Sequence, residues 1–171
     1  MEKDLENSVC REKVFNEIFR EHSADLHKFL YYKYGSENNP ADLVQEAFLK
    51  LWNNCARVMP EKARAFLFTV ANNQMLNDLS RKKTVLNYSR QHPDPVLVEG
   101  PDFALEEKEY LGRLQKAIEE LSDEQRVTFL LSRVEGKKHR EIAEMLDISQ
   151  KAVEKRIYKA LAVLRTKLGE L

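Results

Sequence analysis

The chain has 171 residues, with 28 basic and 28 acidic side chains, and 43% of its residues are hydrophobic. This composition excludes a disordered tail and a fibrous repeat. No stretch approaches the roughly 20 apolar residues that a membrane span needs. The polar, acidic start lacks the basic and apolar segments of a secretion signal. We therefore expect one medium or two small folded domains in the cytoplasm.

The two cysteines, Cys10 and Cys55, are too few for a disulfide framework or a four-cysteine zinc site. We expect separate thiols in a reducing compartment, packed as small core or surface residues. The four histidines form no HExxH or ExxH pair, so the ligand spacing of a helical metalloenzyme is missing. No P-loop, GxGxxG or GxSxG motif occurs either. These patterns predict no metal, no cofactor and no catalytic residues.

Charge is distributed unevenly along the chain. Residues 57–90 carry a net charge of +5 and residues 133–171 a net charge of +4. The segments 1–56 and 91–132 carry −3 and −6. Two basic segments separated by an acidic one suit a protein that binds nucleic acid at two places, although solvated helix faces give similar runs.

Apolar residues recur at intervals of three and four in the first half of the chain, which is the period of helices. The spacing predicts a helix around 14–19 and a second around 26–34, closed by Gly35. Asn39 and Pro40 open a third helix that reaches about Asn54. A fourth helix is predicted from about Glu61 to Lys83. The first domain is therefore a four-helix domain over residues 1–83.

The pattern fails over residues 84–103, which contain three prolines and a glycine and read as a flexible, acidic linker. Helical periodicity returns in residues 104–171. Ser122 and Gln125 form a capping-box pattern for a helix ended by Gly136. A short helix over 138–146 and a last helix from Ser149 to Leu168 follow. The predicted fold is all-α, with two small helical domains.

The last two predicted helices have helix-turn-helix spacing over residues 138–159. One stripe of the last helix is apolar and should pack inward. The opposite side and the start of the helix are basic and polar, through Ser149, Gln150, Lys151, Lys155, Arg156 and Lys159. Such a helix fits the major groove of DNA, although an ordinary amphipathic helix shows the same pattern.

Two helices of the first domain carry further candidate sites. One side of the fourth helix combines aromatic, amide and basic side chains that suit unstacked bases and phosphates, namely Phe66, Asn73, Asn77, Arg81, Lys82 and Lys83. Burial of Phe66 against another helix is the alternative. The back of the third helix surrounds a leucine with acidic and amide groups, through Asp42, Gln45, Glu46, Leu49 and Trp52. This pattern indicates a protein-docking surface or a solvated face with one stray leucine.

Taken together, three segments resemble the extracytoplasmic-function (ECF) sigma factors of bacterial RNA polymerase. DLVQEAFLKLW at 42–52 looks like the helix that docks on the core polymerase. RAFLFTVANNQMLNDLSRKK at 64–83 looks like the helix that melts and reads the −10 element. The segment 121–168 looks like the domain that reads the −35 element. The three motifs occur in the family's order and spacing.

The resemblance implies a non-enzymatic initiation factor whose partners are core RNA polymerase and promoter DNA. It also implies an anti-sigma factor, membrane-anchored in some cases, and a monomer when free. The sequence departs from the family where Thr69 and Asn72 replace basic residues and Asp147 replaces a glycine. The alternative is a one-component helix-turn-helix regulator with a helical sensor or dimerisation domain, which explains residues 121–168 but leaves the motifs at 42–83 without a role.

Overall fold

The computed structural model describes the backbone of residues 8–86 and 102–169 and the side chains of residues 8–81 and 108–169. Within these ranges the secondary structure is helical and contains no strand. The chain divides into two compact units, residues 1–89 and 90–171. The prediction of an all-α fold with two helical parts is confirmed.

The first unit contains three α-helices, α1 (Glu12–Tyr34), α2 (Pro40–Asn53) and α3 (Pro60–Leu86), with a 3₁₀ turn at Ser36–Asn38. Each of the three helices packs against the other two. Their core is built from Ile18, Leu26, Phe29, Leu30, Leu43, Val44, Ala47, Phe48, Leu51, Ala63, Leu67, Ala71 and Met75. Burying these side chains is the main force that holds the unit together.

The predicted first and second helices are one continuous helix, so the expected break near residue 20 is wrong. The apolar pattern lapses over residues 20–25, but these residues include no glycine or proline. A polar stretch without a helix breaker continues the helix because its side chains can point to water or to the unit's margin. The helix ends at Gly35, whose φ of 84° is easiest for glycine and whose N–H donates to the Tyr31 carbonyl.

The second unit contains α4 (Asp102–Glu119), α5 (Asp123–Arg133), α6 (His139–Leu146) and α7 (Gln150–Leu168). Its core comes mainly from α5, α6 and α7, through Val127, Leu131, Ile142, Ala143, Met145, Val153, Ile157, Ala160 and Leu164. Ala117 of α4 and Leu121 complete it against the end of α7. The predicted linker 84–103 falls mostly outside the described residues, and its two ends belong to α3 and α4.

Helix caps in the second unit follow the sequence signals closely. Ser122 Oγ accepts from the Gln125 N–H at 3.3 Å, and Gln125 Oε1 accepts from the Ser122 N–H at 3.2 Å, which confirms the capping box. Ser149 Oγ accepts from the Ala152 N–H at 3.1 Å and caps α7. Asp147 takes the left-handed conformation, with φ of 54° and ψ of 48°, in the turn between α6 and α7. The turn therefore forms without the family's glycine.

The two cysteines do not stay separate, and the expectation of two independent thiols is wrong. Cys10 and Cys55 form a disulfide across a sequence separation of 45 residues, with their Cα atoms 4.9 Å apart. Cys10 lies in the turn before α1, and Cys55 lies just after α2. Their proximity depends on how the start of α1 packs on the end of α2, which the sequence separation does not reveal.

Candidate nucleic-acid and protein interfaces

The basic face of α7 is exposed as the helix-turn-helix pattern predicts. Lys151, Lys155 and Lys159 are all exposed, whereas Val153 and Ile157 are buried on the opposite side. Tyr158 lies among these lysines and leaves 74% of its surface exposed. Ser149 and Gln150 are exposed at the start of the helix, where backbone amides favour a phosphate group. This face offers point charges, a phenol and amide donors to a ligand.

Arg156 differs from the lysines because it is engaged within the unit. Its Nη2 atom lies 2.9 Å from Oε2 of Glu124, in the first turn of α5, and only 24% of its side chain is exposed. Ser122, Gln125 and Lys159 line the same shallow depression between α5 and α7. The guanidinium is therefore held in a fixed place beside the basic face, instead of pointing freely to solvent.

A further contact joins α6 and α7, the two helices of the helix-turn-helix pair. Nδ1 of His139, at the start of α6, lies 3.8 Å from Oε1 of Glu154 on α7. The Lys138 N–H donates to Glu141 Oε2 at 2.7 Å, so a carboxylate satisfies a backbone donor at the start of α6. Sequence reasoning named neither Glu154 nor His139 for this face. The proximity of residues 15 apart could have been found only from the geometry of the turn.

The exposed side of α3 carries the predicted amide and basic groups. Asn73, Asn77 and Arg81 are exposed and line one depression, together with Lys50 of α2. Phe66 is half-buried, so it is neither fully exposed for contact with bases nor fully buried against another helix. The side chains of Lys82 and Lys83 lie outside the described residues. The depression is polar and open, as a site for a strand with protruding bases would be.

Asn72 of α3 is occupied by contacts with α1. Its Oδ1 atom accepts from Lys33 Nζ at 2.9 Å and from the Tyr34 hydroxyl at 2.6 Å. Lys33 also lies 5.3 Å above the ring of Phe29. The amide that replaces a basic residue of the family thus positions a lysine from a neighbouring helix. Sequence reasoning missed Lys33, and only the packing of α1 on α3 brings it to this place.

The back of α2 is exposed as expected. Leu49 leaves 62% of its surface exposed, and Asp42, Gln45 and Glu46 are exposed one to two turns before it on the same face. Trp52 is 44% exposed at the margin of this face. Its ring packs edge-on against Phe15 of α1, with 5.1 Å between the ring centroids. An exposed leucine within a ring of acidic and amide groups has the composition of a small docking surface.

Arg81 connects the α2 and α3 surfaces. It lines the depression of Asn73 and Asn77, and it also lines a second depression with Asp42 and Glu46. The structure therefore brings three predicted polymerase-docking and DNA-binding residues into one cleft of the first unit. The charged side chains of each surface would therefore act electrostatically on a ligand bound at the other surface.

Comparison with known proteins identifies the two units. The family model described as sigma-70 region 2 matches residues 18–85, and the model described as sigma-70 region 4 matches residues 111–164. The ECF RNA polymerase sigma factor SigL of Mycobacterium tuberculosis is 31% identical over 160 residues, which cover 90% of this chain and 88% of SigL. The chain belongs to the ECF sigma factors.

Two further relatives agree with this family. The ECF sigma factor SigE of Mycolicibacterium smegmatis is 23% identical over 159 residues, and this chain spans 62% of its length. The solved structure of CnrH in complex with the cytosolic domain of CnrY has 25% sequence identity and a TM-score of 0.54. That match covers 91% of this chain and 88% of CnrH. These findings do not favour the one-component regulator.

Among the side chains of residues 8–81 and 108–169, no group of three or more His, Cys, Asp or Glu is placed to hold a metal ion. No helix among the same residues is long and apolar enough to cross a membrane. The candidate sites are therefore the polar and basic surfaces of α2, α3 and α7.

Proposed function

We propose that this ECF sigma factor binds core RNA polymerase and directs it to specific promoters by contacting both promoter elements. The observation that carries the proposal is the presence of a sigma-70 region 2 and a sigma-70 region 4 in one chain, each with its predicted contact face exposed. The protein acts in the cytoplasm, where the polymerase is, and has no catalytic activity of its own. We assign it a monomeric free state.

The first unit, which we place at residues 1–83, supplies the polymerase contact. Leu49 is the apolar centre, and Asp42, Gln45 and Glu46 form its polar ring, with Trp52 at the margin. A largely exposed leucine contributes little to folding but buries apolar surface when a partner covers it. The carboxylates favour a basic partner surface and set the orientation of docking.

The same unit holds the opened −10 strand. Asn73 and Asn77 offer amide donors and acceptors to unstacked bases, and Arg81 offers a cation to the backbone. Phe66, which is half-buried, is the aromatic residue that we assign to this contact, and we assign Lys82 and Lys83 to it from the sequence alone. Binding of the separated strand stabilises the melted promoter because the duplex lacks these exposed base edges.

The second unit, which we place at residues 104–171, reads the −35 duplex. Lys151, Lys155 and Lys159 approach the major groove and its phosphates, and Ser149 and Gln150 contact the DNA from the first turn of α7. Arg156 reaches the same groove from the position in which Glu124 holds it. The linker at residues 84–103 spans the distance between the two promoter elements.

An anti-sigma factor is a further partner that we propose for this chain. The solved relative CnrH is in complex with the cytosolic domain of CnrY. The exposed α2 surface and the basic faces are the surfaces that such a partner would cover to keep the sigma factor inactive. Membrane anchoring of the partner would link release to an external signal.

A binding experiment with core polymerase tests the docking surface. We expect Leu49→Ala combined with Asp42→Ala to weaken the binding of core polymerase strongly while helical content stays unchanged. The matched control is Leu111→Ala, because Leu111 is also exposed, at 53%, but lies on α4 of the other unit. Full-strength co-purification of the double variant with core polymerase would show that the docking assignment is wrong.

A further inference from the structure

The disulfide between Cys10 and Cys55 is the one covalent cross-link among the described residues, and it lies beside the proposed docking surface. Cys55 follows α2 by two residues, and its N–H donates to the carbonyl of Trp52 at 3.1 Å. Trp52 forms the margin of the docking surface. The cross-link therefore ties the turn before α1 to the end of the helix that we propose for polymerase docking.

The turn that carries Cys10 is a packed part of the first unit. Val9 is fully buried, and the Arg11 N–H donates to the Ser8 carbonyl at 3.0 Å. One turn further along α1, Phe15 packs against both Phe48 and Trp52, with centroid distances of 5.9 Å and 5.1 Å. The cross-link and this aromatic group together hold the start of α1 on the end of α2.

The cross-link is also accessible to solvent at one end. Cys10 is exposed, whereas Cys55 is half-buried. An exposed disulfide can be attacked by small thiols, and a protein that works on cytoplasmic polymerase meets such thiols continuously. A disulfide with one exposed cysteine can therefore undergo exchange with small thiols, unlike a fully buried cross-link.

We propose that Cys10 and Cys55 form a reversible redox site that sets the affinity of this sigma factor for core polymerase. The proposal rests on the proposed function. The oxidised form holds the start of α1 and the Trp52 edge of the docking surface in place. Binding of core polymerase then costs less conformational entropy, so the affinity is higher. The reduced form frees the turn at residues 8–11 and loosens the packing of Phe15 on Trp52, and it binds core polymerase several-fold more weakly.

The chemistry is thiol–disulfide exchange with an oxidised low-molecular-weight disulfide. The Cys10 thiolate attacks one sulfur of that molecule, which forms a mixed disulfide and releases one small thiolate. The Cys55 thiolate then attacks the Cys10 sulfur, which closes the Cys10–Cys55 bond and releases the second small thiolate. Two protein thiols are oxidised, one small disulfide is reduced, and the two protons from the protein thiols end on the two released thiolates.

The only tryptophan in the chain provides a direct readout of this site, since Trp52 is three residues from Cys55. We would equilibrate the full-length protein in mixtures of reduced and oxidised glutathione and follow Trp52 emission and thiol alkylation by mass spectrometry. The expected result is joint, reversible loss of both thiols with a matching change in emission. The oxidised form should also melt roughly 10 °C or more above the reduced form, because the cross-link restricts the unfolded chain.

The binding of core polymerase to wild type and to the Cys10→Ser, Cys55→Ser double variant would then be measured in the same two buffers. We expect wild type to lose affinity several-fold on reduction, while the double variant stays at the reduced wild-type level in both buffers. Equal affinity of oxidised and reduced wild type would overturn the proposal, as would thiols that never pair in oxidised glutathione. Failure of every form to bind core polymerase would instead contradict the proposed function.

Discussion

Arg156 shows at the scale of a single residue how a basic helix face becomes a specific one. A lysine on the exposed face of α7 is a mobile point charge, but the Arg156 guanidinium is fixed by Glu124 at 2.9 Å. The pair is partly exposed, with 24% and 64% of the two side chains accessible, so its net contribution to stability is small, about 0.2–1 kcal/mol. We interpret the contact as one that positions the guanidinium for DNA.

A double-mutant cycle on Glu124 and Arg156 tests this role. We expect Arg156→Ala to weaken binding to a −35 duplex in the polymerase complex by about 1–3 kcal/mol if the group pairs with a base edge. Glu124→Ala should weaken the same binding by a smaller amount. The two losses of binding free energy should not add, because each substitution removes the same positioned guanidinium. Purely additive losses, measured by promoter-complex stability, would show that Glu124 does not position Arg156.

Lys155 offers a simpler comparison on the same face. It is exposed, so Lys155→Ala should leave the thermal stability of the chain unchanged while weakening promoter use. Lys108→Ala is the matched control, because Lys108 is an exposed lysine on a different helix, α4. Equal transcription from the Lys155 and Lys108 variants would remove Lys155 from the DNA-binding face.

His22 makes the stability of the first unit sensitive to pH. Burial lowers the pKa of His22, and the nearby Arg64 lowers it further, while Glu21 and Asp25 oppose the shift. Because the folded state favours the neutral imidazole, the unfolded state binds more protons, and stability falls as pH drops through the unfolded pKa of about 6.5.

We therefore expect the melting temperature to drop between pH 7.5 and pH 5.5 and the drop to shrink in His22→Gln. Thermal melts of both proteins in matched ionic strength measure the difference. The same pH dependence in wild type and variant would assign the effect to other groups.

At the scale of elements, the turn between α6 and α7 shows which local signals decide the fold. Asp147 has φ of 54° and ψ of 48°, and the N–H of Ile148 donates to the Ala143 carbonyl at 3.0 Å. Aspartate tolerates the left-handed conformation better than most residues, although glycine pays no penalty there. Ser149 then caps α7, so turn and cap are specified by neighbouring residues.

Substitution of Asp147 tests this reading of the turn. We expect Asp147→Gly to raise the free energy of unfolding of the second unit by about 0.5–1 kcal/mol, because it removes the Cβ from a left-handed position. Asp147→Ala should lower it, since alanine has neither the freedom of glycine nor a polar group for local hydrogen bonds. The midpoints of urea-induced unfolding measure these changes in stability. A lower midpoint for the glycine variant than for wild type would contradict this role of Asp147.

Local signals made much of the helical layout predictable. The Ser122 capping box, the Ser149 cap and the apolar stripe of α7 are set by residues within one or two turns, and all three are confirmed. The division of α1 into two helices was wrong, because a lapse in apolar spacing does not end a helix that lacks a glycine or proline. Helix termini and buried faces could thus be predicted from the sequence, whereas the continuity of α1 across a polar stretch could not.

Contacts between helices could not be predicted in this way. Three sets of contacts join residues that are 32 to 45 positions apart, namely the Cys10–Cys55 disulfide, the Asn72 contacts with Lys33 and Tyr34, and the Arg156–Glu124 pair. Their partners follow from the angles and register at which helices pack. The candidate faces were therefore named from the sequence, but the groups that orient their side chains were found only in the structure.

At the scale of the whole molecule, a net charge of zero distinguishes this chain from a free-standing DNA-binding protein. Its basic faces are local, and acidic segments offset them elsewhere. Affinity for duplex DNA depends strongly on released counterions, so the free chain should bind weakly. Core polymerase supplies the missing affinity by presenting both units to one promoter, which raises the effective concentration of each for its element.

A gel-shift experiment with the full chain alone tests the charge argument. We expect no stable complex with promoter duplex at physiological salt, and a complex with the same duplex once core polymerase is added. Lanes with core polymerase and duplex but without the sigma factor are the control. Tight, sequence-specific binding by the free chain would contradict the account and would favour a regulator that acts alone.

The most direct test of the central claim is run-off transcription with core RNA polymerase of the native host and a library of its genomic fragments. Added sigma factor should produce transcripts that start at a small set of defined sites, preceded by shared −35 and −10 elements. The Leu49→Ala, Asp42→Ala variant should abolish them, and the Leu111→Ala control should not. Transcription that is unchanged by the addition of the protein would contradict its role as a promoter-specificity factor.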